Sequence, residues 1–277
     1  MSYPYFFIPR ENISADQIEI TNDDLKHLIQ VLRAKLRDKV EISDSIGYRY
    51  ITEIIEIKKN RALLKILDKK EIKKIPIEVY LYQCILKRSS MELVIQKAAE
   101  TGLSAVIPVK SNRMVVAQKK DNEKLFRWQK IALEASKQSK RNFKCNVLSE
   151  LSLADIDPGK FDVFYIPYEE IDPEEIKKKN IVTSLKEILE ERRKRQKTAS
   201  LFSGKADCSK NEKLTLNQEP DLKIGFIIGP EGGFEESEVE FLANKGAVKL
   251  SLGRNILKAE TAAIFMSSII KYTLEIY

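Results

Sequence analysis

Two short glycine-bearing loops, each behind an apolar run, lie between Lys223 and Ile270, and their residue types limit the chemistry open to the chain. In KIGFIIGPEGGFEESEVEF, Ile224 and Phe226 to Ile228 form a run suited to a buried strand. The loop behind it offers Pro230, with its fixed φ, and Gly229, Gly232 and Gly233, whose bare backbone tolerates φ > 0 and lets a ligand come close. Such a loop could cradle a phosphate. It has no Lys before Ser or Thr, however, and no GxGxxG, and Glu235, Glu236 and Glu238 crowd the first turn of the helix that follows. Carboxylates there complement the helix dipole and oppose an anion, so the loop suits a neutral or cationic ligand.

The pattern then repeats. Ala247 to Leu252 reads as a strand, Gly253, Arg254 and Asn255 as a loop, and Ile256 onward as an apolar helix through Ile264 and Ile270. Two strand-loop-helix units this close predict an α/β fold with a parallel sheet, both loops at the carboxyl ends of their strands, where open α/β sheets bind ligands. The two loops should share one site.

The segments IGPEGGFEESEVE and LGRNILKAETAA, in this order and spacing, resemble the signature of the ribosomal RNA small subunit methyltransferase E family, part of the SPOUT superfamily. The resemblance implies a C-terminal SPOUT domain with a parallel sheet and a deep trefoil knot, preceded by a small PUA-like β-barrel domain. It implies methylation of N3 of a uridine in small-subunit ribosomal RNA with S-adenosylmethionine, a sulfonium cation that agrees with the electrostatics of the loop. Carried over position by position, it assigns the cofactor to Ile228, Gly229, Pro230, Glu231, Gly232, Gly233, Leu250, Leu252, Gly253, Asn255, Ile256 and Leu257, with Pro167 and Tyr168 closing over it. Glu231 and Glu260, the acidic residues inside the two loops, are candidates to take the N3 proton or orient the base; Glu260 could instead pair with Arg254 or Lys258. Lys258 stands where the family has an arginine, which keeps the charge but not the bidentate fork. The family's symmetric pair makes the last stretch, ETAAIFMSSIIKYTLEIY, a homodimer interface or part of the core. Two rival readings stay open: another SPOUT enzyme acting on transfer RNA or a ribose hydroxyl, and a non-catalytic RNA-binding ribosome-assembly factor.

The net charge of +7 over 277 residues favours an anionic partner such as nucleic acid, and charge alone does not separate RNA from DNA or an acidic membrane. Cys84, Cys145 and Cys208 are scattered and His27 is the only histidine, so neither a disulfide framework nor a metal site is expected. No window has the apolar length of a membrane span, and a cytosolic protein is expected.

Along the chain, residues 1–72 read as the β-rich domain. A strand is expected at Tyr5–Pro9, a helix over Asp23–Ala34 with Leu25, Leu28, Ile29 and Leu32 on one face, and strands at Lys39–Ser43, Tyr48–Lys58 and Ala62–Asp68. The family's pattern continues through HLIQVLRAK and SDSIGYRY, with departures at Tyr5, where it has an arginine, and Arg37, where it has a glycine. Residues 73–277 then form the second domain: a linker at Ile75–Pro76, strand Val79–Leu86, helix Met91–Thr101 closed by Gly102, strand Ala105–Val109, helix Leu125–Lys137 and strand Phe161–Ile166. The charged stretch 173–219 reads as an insertion with a short helix near Leu185, Ile188 and Leu189. His27, Arg33, Lys87, Arg113, Lys137 and Arg141 are the candidate RNA contacts, weighed against packing for His27, a surface salt bridge for Arg33 and a solvated helix end for Lys137 and Arg141.

Overall fold

The computed structural model describes residues 3–72, 77–111, 122–168, 180–202 and 222–276. The expected linker at Ile75–Pro76, Arg113, and most of the 173–219 stretch lie outside them. The chain divides into two compact units, one of Met1–Ile75 with Ala132–Cys145, the other of Pro76–Ile131 with Asn146–Tyr277.

In the first unit, β1 (Tyr5–Phe7), β2 (Gln17–Thr21), β3 (Lys39–Ser43), β4 (Tyr48–Ile57) and β5 (Arg61–Glu71) form a five-stranded sheet in the order β1-β3-β4-β5-β2. β1 pairs with β3 in parallel, and the other neighbours are antiparallel. Alternate residues point to one face, so Ile18, Ile20, Val40, Ile42, Tyr50, Ile54, Ala62 and Leu64 meet in a single core with Phe6 and Leu28. Two register shifts in the β4–β5 hairpin, at Ile51/Thr52 and Ile54/Glu56, bend the long strands so that the sheet curls around that core.

The helix expected over Asp23–Ala34 is interrupted. α1 (Asn22–Lys26) passes into a π-helical turn over His27–Val31, in which Leu32 N–H donates to His27 C=O five residues back. The wider turn rotates the apolar face, leaving Leu25 and Leu28 buried and carrying Leu32 to the surface. Arg33 and Arg37 then take left-handed backbone, at φ 55 and 72. The second is the position where a glycine would sit without strain, and it is held by Arg37 N–H donating to Ile54 C=O at 2.9 Å.

α3 (Asn122–Gln138) enters the first unit at Ala132, and its last turns with residues 139–145 complete that unit. Lys137, only 6% exposed, pairs with Asp24 at 2.8 Å and Glu134 at 2.9 Å above the Phe6 ring. Glu41 is gripped by Arg49 at 2.7 Å and Lys140 at 3.1 Å, and the Tyr5 hydroxyl donates to Arg141 C=O.

In the second unit, β6 (Ile77–Cys84), β7 (Ala105–Lys110), β8 (Asn146–Val147), β9 (Leu151–Ser152), β10 (Val163–Pro167), β11 (Leu222–Ile228) and β12 (Val248–Leu250) form a parallel sheet. The order is β12-β10-β11-β6-β7-β8, with β9 also on β7. Around it lie α2 (Arg88–Glu100), α4 (Ile181–Phe202), α5 (Glu236–Asn244) and α6 (Ala259–Ile276), α6 packing on α2 and α4. β10 approaches β11 closely because Gly225 has no side chain: a Cβ there would lie 2.4 Å from the Phe164 ring.

Two expectations need correction. The short helix near Leu185 is a 22-residue helix, started by Asn180 accepting from Thr183 N–H and anchored through buried Ile181 and Leu185, so this part of the charged stretch is framework. The last helix begins at Ala259 and not Ile256, because a turn at Gly253, where φ is 127, keeps residues 251–258 in a loop.

Burial alone would raise the Glu41 carboxyl, but hydrogen bonds and charge from Arg49 and Lys140 outweigh it and hold the group below the ordinary glutamate range. A carboxylate lowered in the folded state stabilises it above its unfolded value, and that contribution is lost as pH falls through the folded value. Glu41→Gln should therefore lower the stability of the first unit at neutral pH by about 1–3 kcal/mol and flatten its loss below pH 5, as read by urea melts across pH.

Candidate functional site

The carboxyl ends of three neighbouring strands stand level on one sheet edge. In the register of the sheet Tyr165 faces Phe226 and Pro167 faces Leu250, so Pro167 and Ile228, each two residues further on, end β10 and β11 side by side. Tyr168 N–H then donates to Leu250 C=O at 2.9 Å, fastening the loop after β10 to the end of β12. On the far side of β11, Gln83 of β6 faces Ile228. The strand-end residues expected to share a site therefore do lie together.

The loop after β11 is shaped by its own side chains. Phe234 folds back into the core and its ring would meet a Cβ on Gly229 at 3.2 Å, so a glycine lets the ring close under the loop. Gly233 takes φ 71 and donates to Pro230 C=O at 3.0 Å, completing a tight turn. α5 follows with a reciprocal capping box, Glu235 N–H donating to the Glu238 carboxylate at 2.9 Å. These acids are thus spent on starting the helix. The loop after β12 is held by Ser251 Oγ, which bonds Gly253 N–H at 3.2 Å and Gly253 C=O at 3.1 Å. A Cβ on Gly253 would enter open space, so φ 127 is what this position demands of its residue. Asn255 and Ile256 are exposed, Ile256 at 81%, while Leu252 and Leu257 are half-buried.

Of the ionisable candidates, Glu231 is exposed and its Oε1 accepts from Lys87 N–H at 2.9 Å. Glu260 sits half-buried in the first turn of α6 and pairs with neither Arg254 nor exposed Lys258 among the described residues. Burial pushes the Cys84 thiol, beneath this edge, up to about 12, so it is no nucleophile at neutral pH. No three His, Cys, Asp or Glu among the described residues are placed to hold a metal ion, and no described helix is long and apolar enough to cross a membrane.

Gln83 is a site residue that reading the residues alone misses. It is fully buried at the end of β6; its Nε2 donates to Cys84 C=O at 3.0 Å, and its Oε1 has no partner among the described residues. An amide inside the otherwise apolar strand VYLYQCIL was the available signal, since buried amides need partners. The donor set at the edge is thus backbone N–H and C=O, one buried amide and few side-chain charges. That fits a ligand carrying a neutral or cationic centre.

The candidate RNA contacts fare differently. Arg33 is exposed, as is Lys87, and Arg113 lies outside the described residues. His27 packs edge-on against Phe6, with Nδ1 3.9 Å from Glu134. Lys137 is enclosed by its two carboxylates, and Arg141 is half-buried, desolvation holding its guanidinium below the ordinary arginine range. These two serve as framework of the first unit.

The chain belongs to the RNA methyltransferase domain family, whose model matches residues 73–184 and 174–271, and the RNA methyltransferase PUA domain matches residues 20–67. Within it, the chain is a member of the ribosomal RNA small subunit methyltransferase E family. It is 31% identical over 192 residues to that protein from Mesomycoplasma hyopneumoniae (strain 232), covering 68% of this chain and 67% of the relative. It is 28% identical over 267 residues to that of Bacillus subtilis (strain 168), covering 95% and 92%. The fold matches the crystal structure of a ribosomal RNA small subunit methyltransferase E from Neisseria gonorrhoeae bound to S-adenosyl methionine, at TM-score 0.73 and 24% identity over 98% of both chains.

Proposed function

We propose that the chain transfers a methyl group from S-adenosylmethionine to N3 of a uridine in small-subunit ribosomal RNA. The observation that carries this reading is the level meeting of Pro167, Ile228 and Leu250 on one sheet edge, with a glycine-bearing loop behind two of them. Bound there, S-adenosylmethionine supplies a methyl carbon made electrophilic by its sulfonium. Backbone groups of Ile228 to Gly233, Leu250, Leu252, Gly253 and Asn255 to Leu257 hold the donor without presenting a competing anion, and Pro167 and Tyr168 cover it. Holding donor and acceptor in line is the larger part of such catalysis.

The acceptor nitrogen carries a proton that must leave as the N–C bond forms and the C–S bond breaks. Glu260 takes it, being half-buried at the start of α6 with no cation engaged among the described residues, and Lys258 supplies a nearby positive charge for the base or its phosphate. The N3 edge is paired in a duplex, so the uridine must be unpaired or extruded. Arg33, Lys87 and Arg113, with His27 at the margin, position the RNA backbone. The placement of β12 on the far side of β10 from β11 supports a deep trefoil knot in the connections. Phe265, Tyr272 and Ile276, exposed at helical spacing on α6, support a homodimer closed by that helix, and a ribosomal RNA substrate supports a cytoplasmic location.

Purified protein incubated with small-subunit RNA and S-adenosylmethionine should yield 3-methyluridine by nucleoside mass spectrometry. A methylated ribose or a transfer RNA product would sink the assignment, and an absence of heat on calorimetric titration with S-adenosylmethionine would favour an inert RNA binder. Glu260→Gln should cut kcat about 10²- to 10⁴-fold while keeping cofactor affinity. Light scattering should give twice the 31.9 kDa chain mass, falling to one chain in a Phe265→Asp, Tyr272→Asp variant.

A further inference from the structure

We propose that Glu231 is a positioning residue, whose carboxylate ties the loop after β11 to the first turn of α2 and so fixes Lys87 beside the cofactor loops. The proposal rests on the methyl-transfer reading above and says how that site holds its RNA.

Lys87 N–H donates to Glu231 Oε1 at 2.9 Å, across 144 residues of chain. Lys87 is the residue before α2, with its backbone at φ −53 and ψ 149, and its own side chain makes no cap hydrogen bond to that helix end. The glutamate from the other loop supplies the missing acceptor and places a negative group at the positive end of the helix. The two loops are neighbours because Gln83 and Ile228 face each other as β6 and β11 end. The loop after β6 is also fixed at its root: Ile85 N–H donates to Val109 C=O at 3.0 Å, and Gln83 Nε2 to Cys84 C=O at 3.0 Å. With its backbone fastened at both ends, this loop presents the Lys87 side chain to solvent, without an ion pair among the described residues. Arg88, the next cation, is already turned to Glu92 at 3.2 Å. Among the described residues Lys87 is thus the free positive charge of the loop, held next to the glycine turn and suited to an RNA phosphate near the acceptor nucleotide.

From the residues alone Glu231 is a candidate to take the N3 proton or to orient the base. The two roles differ in what they need. A proton acceptor needs a carboxylate, whereas a positioning acceptor needs only an oxygen at that place, which glutamine keeps.

Methyl-transfer kinetics on small-subunit RNA for the native protein, Glu231→Ala, Glu231→Gln and Lys87→Ala test this. Glu231→Ala should lower kcat/KM about 10- to 100-fold, chiefly through KM for RNA, as expected for losing a charge-assisted hydrogen bond. Glu231→Gln should lose only about three- to fivefold, with a pH–rate profile of unchanged shape. Lys87→Ala should raise KM similarly, and the Glu231→Ala, Lys87→Ala pair should cost less than the product of the two. Equal loss in Glu231→Gln and Glu231→Ala, with the acidic limb of the profile gone, would overturn the proposal in favour of a proton acceptor. If the native protein methylates no ribosomal RNA, the functional reading fails. Hydrogen exchange still decides the tie itself: Lys87 N–H should be protected in the native protein and Glu231→Gln, and lose protection in Glu231→Ala, while equal exchange in all three refutes it.

Discussion

The parallel hydrogen bonding of β10 between β11 and β12 is the constraint on which everything at the sheet edge depends. Because Tyr165 faces both Phe226 and Val248, the three strands run in common register and end level. A slip of one residue would move a strand end by about 3.3 Å and turn its side chains to the other face of the sheet. Gly225 protects that register, since the Phe164 ring occupies the space a side chain would need. A packing demand in the middle of the sheet thereby sets where the loops begin at its edge.

Charge is deployed differently in the two units. The net +7 suggests many cations ready for an anionic partner, yet Lys137, Lys140 and Arg49 are committed to Asp24, Glu134 and Glu41 inside the first unit. At the sheet edge Glu235 and Glu238 are committed to capping α5. What is left for a ligand is backbone and a few charges free among the described residues, Lys87 one of them. Burying the Lys137 pairs costs desolvation that the ion pairs only offset, so their clearest effect is to fix how residues 132–145 seat on the first sheet.

Much of this was legible in the residues. The strand at Lys39–Ser43 has the bounds its alternation predicts, and the apolar run before Gly229 is β11. Glu235 starts its helix as acids in that position should, and Gly102 ends α2 at φ 92. The failures have physical causes. The π turn after His27 adds a residue that periodicity cannot foresee, and so misplaces Leu32. QIEIT, which forms β2, shows only two apolar positions, and two-residue strands such as β8 carry no pattern at all. At the site, glycines and strand ends announced themselves, whereas Gln83 and the tie between Glu231 and Lys87 depend on which strands become neighbours. Long-range pairing of that kind has no local signature.

The make-up of the first unit bears on how the protein is born. Its sheet is encoded before residue 75, but the groups that satisfy the Tyr5 hydroxyl, the Ser43 hydroxyl and the Glu41 carboxylate come from Lys140, Arg141 and Asn142. At synthesis rates of about 5–20 residues per second, the nascent sheet waits several seconds for them. Vectorial folding therefore cannot finish the first unit before the second is under way, and an N-terminal fragment cut at the end of β5 would be a sheet without its clasp.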